Sequence, residues 1–350
     1  ARIGRGENLA TLRHTPWVRI WFSCVGLAVM IATVSACESS SMTSPRSEPT
    51  ATSSATPSSD PSQLPLNSRE KTSWPVTIGI QHLAPIDFVS DPIDSDERIL
   101  ALAAGSAELV DMLGAGDQLV GQDETSEPRT DVPVVTLGHQ IDIEKALEVD
   151  PTLVLVDELI GPPEAIDALK QSGADVVSVP PVWNLADVPQ RVAALADSVG
   201  ASDDVAAQLG SALAVSDPAP TSTSPRVAFL YLRGPSAVYL LGGSDTGADA
   251  LIKAAGGIDV GSDIGLKGFV PLTAEALIEA DPDIVLVMTE GLASVGGVDG
   301  LVKLPGVAQT DAGAQGRVIA VDDRVLLSFG ARTPSLVAAL RKIFGSVERE

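Results

Sequence analysis

The sequence has little of what builds most reaction centres. Its two cysteines, Cys24 and Cys37, both lie near the N-terminus, so the rest of the chain has neither a disulfide framework nor a thiolate metal site. Its three histidines are His14, His82 and His139, too few for the imidazole-rich pocket of a zinc or manganese scavenger. Aromatic residues make up 3%, with Tyr231 and Tyr239 the only phenols. HExxH, GxSxG and CxxC motifs are absent, which leaves no motif for a zincin, a nucleophile-elbow hydrolase or a dithiol redox protein. Positive charge is scarce as well, with 23 Lys and Arg against 46 Asp and Glu and a net charge of -23. Such a surface repels nucleic acid and anionic headgroups, and an anionic ligand would need a local basic spot.

What is present sorts into a leader, a tether and two lobes. Residues 1–19 carry Arg2, Arg5, Arg13 and Arg19, and 20–36 are an apolar stretch short for a membrane span. The stretch closes with Val34-Ser35-Ala36-Cys37, the pattern of a bacterial lipobox, in which the thiol of Cys37 receives a diacylglycerol. Residues 1–36 are thus expected to be a lipoprotein signal peptide, leaving a protein anchored on the extracytoplasmic face of the cell membrane. The plainer alternatives are a cleaved signal with an incidental cysteine and an uncleaved anchor. Residues 37–96 are expected to be a tether and N-terminal extension, since the Ser, Thr and Pro of its first half cannot bury a core. Its last part, residues 73–96 with His82, is left open between an added edge strand and a loose segment.

From residue 97 strands alternate with helices, which predicts an α/β fold of two Rossmann-like lobes with covered parallel sheets. The lobes are expected over 97–182 and 225–350, joined by a long helical linker over 183–224 that resists hinge motion. An ungapped internal repeat supports two lobes of similar build. Glu144 to Val156 matches Glu275 to Val287, each a helix closed by Asp-Pro and followed by a β-branched strand. Val227–Arg233, a turn through Gly234-Pro235-Ser236, and Ala237–Leu241 read as a hairpin. The glycine-rich stretch after it lacks the lysine of a phosphate-binding loop.

Two places carry candidate chemistry. Val134–Leu137 ends at Gly138, His139 follows, and Asp142 opens a helix, so His139 is expected on a strand-to-helix loop, where α/β proteins keep ligand contacts. Tyr231 and Arg233 stand two apart on a strand and share a face; a cation beside a phenol favours the phenolate, a good ligand for oxidised iron. Each has a bland reading, a solvated loop histidine and a half-buried tyrosine. Together they give an imidazole from one lobe and a phenol from the other, ligand types that haem iron accepts. Haem propionates need cations, and Arg233, Lys267 and Arg332 are the ones near expected cleft loops. Tyr239 remains a rival to Tyr231.

The order of elements, Gly105-Ser106-Ala107-Glu108-Leu109, Leu137-Gly138-His139, Tyr231-Leu232-Arg233 and the lipobox resemble the haem-binding lipoproteins of bacterial haem-uptake ABC transporters, the HmuT type, over about residues 97–350. The resemblance implies the class III solute-binding fold, haem b as transported ligand, and His139 and Tyr231 as axial ligands with Arg233 holding the tyrosine oxygen. It also implies a monomeric receptor, not an enzyme, that docks on a permease and its ATPase through Glu144 and Glu275. The same fold serves ferric siderophores and cobalamin, which stay open as alternatives, as does an extracytoplasmic haem-acting enzyme.

Overall fold

Short β-branched runs bounded by Gly, Pro and Asp become strands. The computed structural model describes residues 72–126 and 131–347, and the leader and Cys37 lie outside them. In chain order the strands are β1 (Val76–Ile78), β2 (Ile99–Ala101), β3 (Leu119–Gln122), β4 (Thr136–Leu137), β5 (Gln140–Ile141), β6 (Leu153–Val156), β7 (Asp175–Ser178), β8 (Arg226–Arg233), β9 (Val238–Gly242), β10 (Ile258–Asp259), β11 (Phe269–Pro271), β12 (Ile284–Met288) and β13 (Val318–Val321). The first lobe holds a parallel sheet in the order β3-β2-β6-β7. The second holds β1-β13-β12-β8-β9-β11, with β10 beside the start of β8. Strands β6 and β13 are buried along their whole length, as covered parallel sheets require.

The internal repeat is structural. Helix α1 (Ser106–Val110) follows β2, and α2 (Ile143–Glu148) leads into β6 as the helix Ala274–Ala280 leads into β12. Asp142 caps α2 by accepting the Lys145 N–H at 3.3 Å, and Thr273 caps its counterpart by accepting the Ala276 N–H at 3.2 Å. After each helix an aspartate takes a left-handed conformation before proline, Asp150 at φ 45° and Asp281 at φ 36°. The proline disfavours the α region at those residues, and aspartate tolerates the left-handed one.

Part of the expected extension belongs to the fold. Strand β1 pairs in parallel with β13, Val76 beside Ile319 and Ile78 beside Val321, so residues 73–96 supply an edge strand, and to the second lobe. The chain then crosses to the first lobe along a strap. Near its start the Ser335 hydroxyl donates to the Ala84 carbonyl at 2.6 Å and the Ile86 N–H to Ala331 at 3.0 Å. Further on, the Ser90 hydroxyl donates to the Met112 carbonyl at 2.7 Å and the Gln118 amide to that of Ile93 at 2.6 Å.

The return crossing follows α3 (Pro163–Gln171) and β7 and consists of α4 (Val188–Val199) and α5 (Asp203–Leu213). One apolar cluster runs through both lobes and this linker, including Leu109, Leu195, Leu209, Phe229, Leu286 and Leu340, all essentially inaccessible. At roughly 1.5–3 kcal/mol for each large apolar side chain fully buried, the two lobes share their stabilisation.

Arg191 fixes the linker to the first lobe. Its side chain, 4% exposed, lies 3.8 Å from Asp157, itself 3% exposed, and donates to the Ala104 carbonyl at 2.6 Å. Burial pulls the Arg191 guanidinium below its usual value, opposed by Asp157 and Asp123. Asp123 directly follows β3 and accepts from the backbone N–H of Thr125 at 2.8 Å and the hydroxyl of Ser126 at 2.5 Å, yet burial still pushes its carboxyl above the ordinary aspartate value. The folded form therefore holds that proton more tightly than the unfolded chain does. Its contribution to stability is complete below about pH 4 and declines as pH rises through the folded value. Asp123→Asn, which removes the titration, is expected to flatten that part of a plot of urea midpoint against pH; an unchanged slope between pH 4 and 7 would refute this assignment.

Candidate functional site

His139 stands at a strand-end loop, as expected, but on a hairpin that local sequence reasoning missed. Strands β4 and β5 pair in antiparallel, Thr136 with Ile141 and Leu137 with Gln140, leaving Gly138-His139 as the turn. Gly138 has φ +59°, which suits a residue without Cβ. The turn is tied at two points. Glu124 accepts the Gly138 N–H at 2.6 Å, and the His139 carbonyl accepts the Gly161 N–H at 2.9 Å. The imidazole is exposed and makes no hydrogen bond among the described residues. Glu124 is a positioning residue without a sequence signal, since its partner lies fourteen positions on.

Tyr231 stands near the carboxyl end of β8, half-buried. Its ring has two close neighbours. The Arg233 guanidinium lies over it, 4.7 Å from the centroid, and Phe269 of β11 meets it at 5.5 Å with the planes tilted by 56°. Arg233 thus engages the ring face, not the phenolic oxygen, a cation–π contact worth about 0.5–1 kcal/mol at an exposed site. Among the described residues no hydrogen bond involves the Tyr231 hydroxyl or joins Tyr231 to His139.

The hairpin register separates the two tyrosines. Ala237, expected to begin the return strand, belongs to the turn at φ 50°, and pairing starts with Arg233 beside Val238. Tyr231 therefore faces Leu240, while Tyr239 lies beside Leu232 on the other face of the sheet, packed against the cluster of Leu230, Leu241 and Val287. A turn one residue shorter would have set Tyr239 directly opposite Tyr231, because a one-residue slip exchanges the faces of a strand.

The three candidate cations differ in what already holds them. Lys267 pairs with Asp245 at 3.0 Å, with 81% and 59% of the side chains exposed, a contact worth little. Arg332, at the start of the helix Thr333–Phe344, is almost buried and ion-paired with Glu108 of α1. It is thus a clasp between the lobes and not the open cation the sequence suggested. Burial raises the Glu108 carboxyl even against the pull of Arg332. Close backbone approach surrounds the clasp, since a Cβ on Gly105 would come within 3.1 Å of Ser328. Arg233 has no carboxylate partner among the described residues. Glu144 and Glu275 are exposed at equivalent positions in the first turns of their helices.

Two α/β lobes, the first with a parallel sheet and the second with a mixed one, a helical linker and strand-end loops carrying the polar candidates define a periplasmic binding protein, and the chain belongs to that family: the family model described as periplasmic binding protein matches residues 99–325. Among solved structures, the periplasmic heme-binding protein RhuT of Roseiflexus sp. RS-1 is 33% identical with TM-score 0.64, the match covering 72% of this chain and 99% of that one. The heme-binding protein HmuT is 30% identical with TM-score 0.66, covering 77% and 97%. Other solved forms of HmuT carry alanine at a tyrosine, at a histidine, and at an arginine two positions beyond that tyrosine. Among curated proteins, a cobalamin-binding protein of Halobacterium salinarum is 26% identical over 264 residues, covering 71% of this chain and 69% of its own.

Proposed function

We propose that the protein is the haem receptor of an ABC-type importer, taking haem b into the cleft between its lobes, with His139 and Tyr231 as the two iron ligands. The observation that carries this reading is the phenol of Tyr231, in contact with Arg233 and Phe269 and with its hydroxyl unpartnered among the described residues, while the other lobe offers an exposed, unpartnered imidazole. The tyrosine-to-arginine spacing equals that of the substituted residues in HmuT. Arg233 and Lys267 are the cations assigned to the propionates in this reading, and Arg332 would serve one only by leaving Glu108. Binding and release involve no covalent change, so the protein acts as a receptor and not as an enzyme.

The remaining assignments belong to the same proposal. Cys37 carries the lipid that holds a monomeric receptor on the outer face of the cell membrane, and Glu144 and Glu275 dock its lobes on the permease and its ATPase. The test is an absorption titration of haemin into residues 38–350. A saturable one-to-one Soret shift is expected. Glu144→Lys with Glu275→Lys should leave that shift intact and abolish stimulation of the permease-bound ATPase, and Cys37→Ser in the full chain should move the protein from the membrane to the soluble fraction. No Soret change beyond free haemin would defeat the haem reading. The match to a cobalamin-binding protein favours cobalamin as the second ligand to titrate, and saturable binding of it alone would replace haem.

A further inference from the structure

Phe269 is the most open ring of the tyrosine cluster, 38% exposed on an edge strand. The sheet explains why it reaches so far. In the antiparallel pair β9–β11, Phe269 is directly opposite Gly242, and Gly242 continues the β8–β9 register opposite Phe229. With no side chain on β9 between them, the phenylalanines of its two neighbouring strands meet across it, their centroids 6.0 Å apart and their planes at 60°. A Cβ on Gly242 would come within 2.9 Å of the Phe229 ring, so the space above that glycine is already in use. Phe229 is fully buried and gives Phe269 a fixed seat. From that seat Phe269 leans diagonally on to Tyr231 at 5.5 Å, the ring that Arg233 also contacts.

We infer that Phe269 is the positioning residue of the tyrosine ligand: it fixes the plane of the Tyr231 ring, and so the direction of the phenolic oxygen, and its open face supplies apolar contact to the flat macrocycle. The inference rests on the haem reading for its second half, while the first half concerns the empty protein as well. A phenol steered by a single cation can swing about the strand, and a second wall removes that freedom before the ligand arrives. The site then loses less side-chain entropy on binding.

Haemin-loaded Phe269→Ala and Phe269→Tyr test it. In Phe269→Ala the haemin dissociation rate should rise about tenfold, the tyrosinate-to-iron charge-transfer band should shift, and the tyrosine ligand should be lost at higher pH on acidification. Phe269→Tyr, which keeps the ring, should restore all three. A dissociation rate, band and acid midpoint equal to wild type in Phe269→Ala would overturn the inference. Should wild type bind no haemin, the receptor reading fails separately, and the near-ultraviolet dichroism of the empty proteins decides the positioning claim. Loss of tyrosine signal in Phe269→Ala would uphold it; an unchanged spectrum would end it.

Discussion

Replacing Tyr231 by alanine is expected to weaken haemin binding about a hundredfold, equivalent to ~2.7 kcal/mol, and to abolish the charge-transfer absorption of an iron-bound phenolate. The loss has two sources. The proposed iron ligand goes, and Arg233 and Phe269 lose the ring that both contact. Tyr231→Phe separates them, since it keeps the ring and removes only the oxygen. Its affinity should fall nearly as far as that of the alanine variant if the iron bond dominates. Tyr239→Phe is the control. Its ring packs on the opposite face of the sheet, so haemin affinity should stay within about a factor of two, well under ~1.4 kcal/mol. Equal affinity in wild type and Tyr231→Ala, measured by competition against a haemin-binding apoprotein, would remove Tyr231 from the site.

Arg191→Ala is expected to destabilise the fold by about 3–5 kcal/mol, the cost of leaving a buried charge uncompensated. Asp157 would keep only its contacts to the N–H groups of Ala104 and Leu159, at 3.3 and 3.1 Å, and the Ala104 carbonyl would lose its donor. The variant should show a lower urea midpoint with little change in slope. Adding Asp157→Asn should recover part of the loss, because it removes the orphaned charge. If Arg191→Ala unfolds at the wild-type midpoint, the buried pair contributes nothing. Arg191 belongs to the linker and Asp157 to a strand end, so the same variant tests whether the linker is rigidly joined to the first lobe.

Local patterns carried much of the fold because the deciding interactions are local. The turn that continues α1 leaves helical geometry at Gly114, with φ +93°, and a glycine there is a legible sign of that. The repeats around Glu144 and Glu275 are legible for the same reason, a polar cap before each helix and Asp-Pro after it. Contacts across long separations left no such mark. Strand β1 is placed by pairing with β13 more than two hundred positions later, and Arg332 by a glutamate in the other lobe. The site divides likewise. Tyr231-Leu232-Arg233 announces a shared face on one strand, but the choice against Tyr239 depends on a single turn residue, and Phe269 enters only through the register of a third strand.

The route of the chain also governs how the molecule can be cut. Strand β1 lies in the second lobe's sheet, yet the whole of the first lobe is threaded between it and β8. The second lobe is therefore discontinuous in sequence, and no single cut yields it whole. A fragment starting at residue 97, where local patterning places the first strand, would remove the edge strand from the distant half and expose the backbone of β13. Exchanging halves between relatives would need two junctions, one in the strap and one after α5, so any natural recombination that preserved this protein would have had to insert the first lobe into the second.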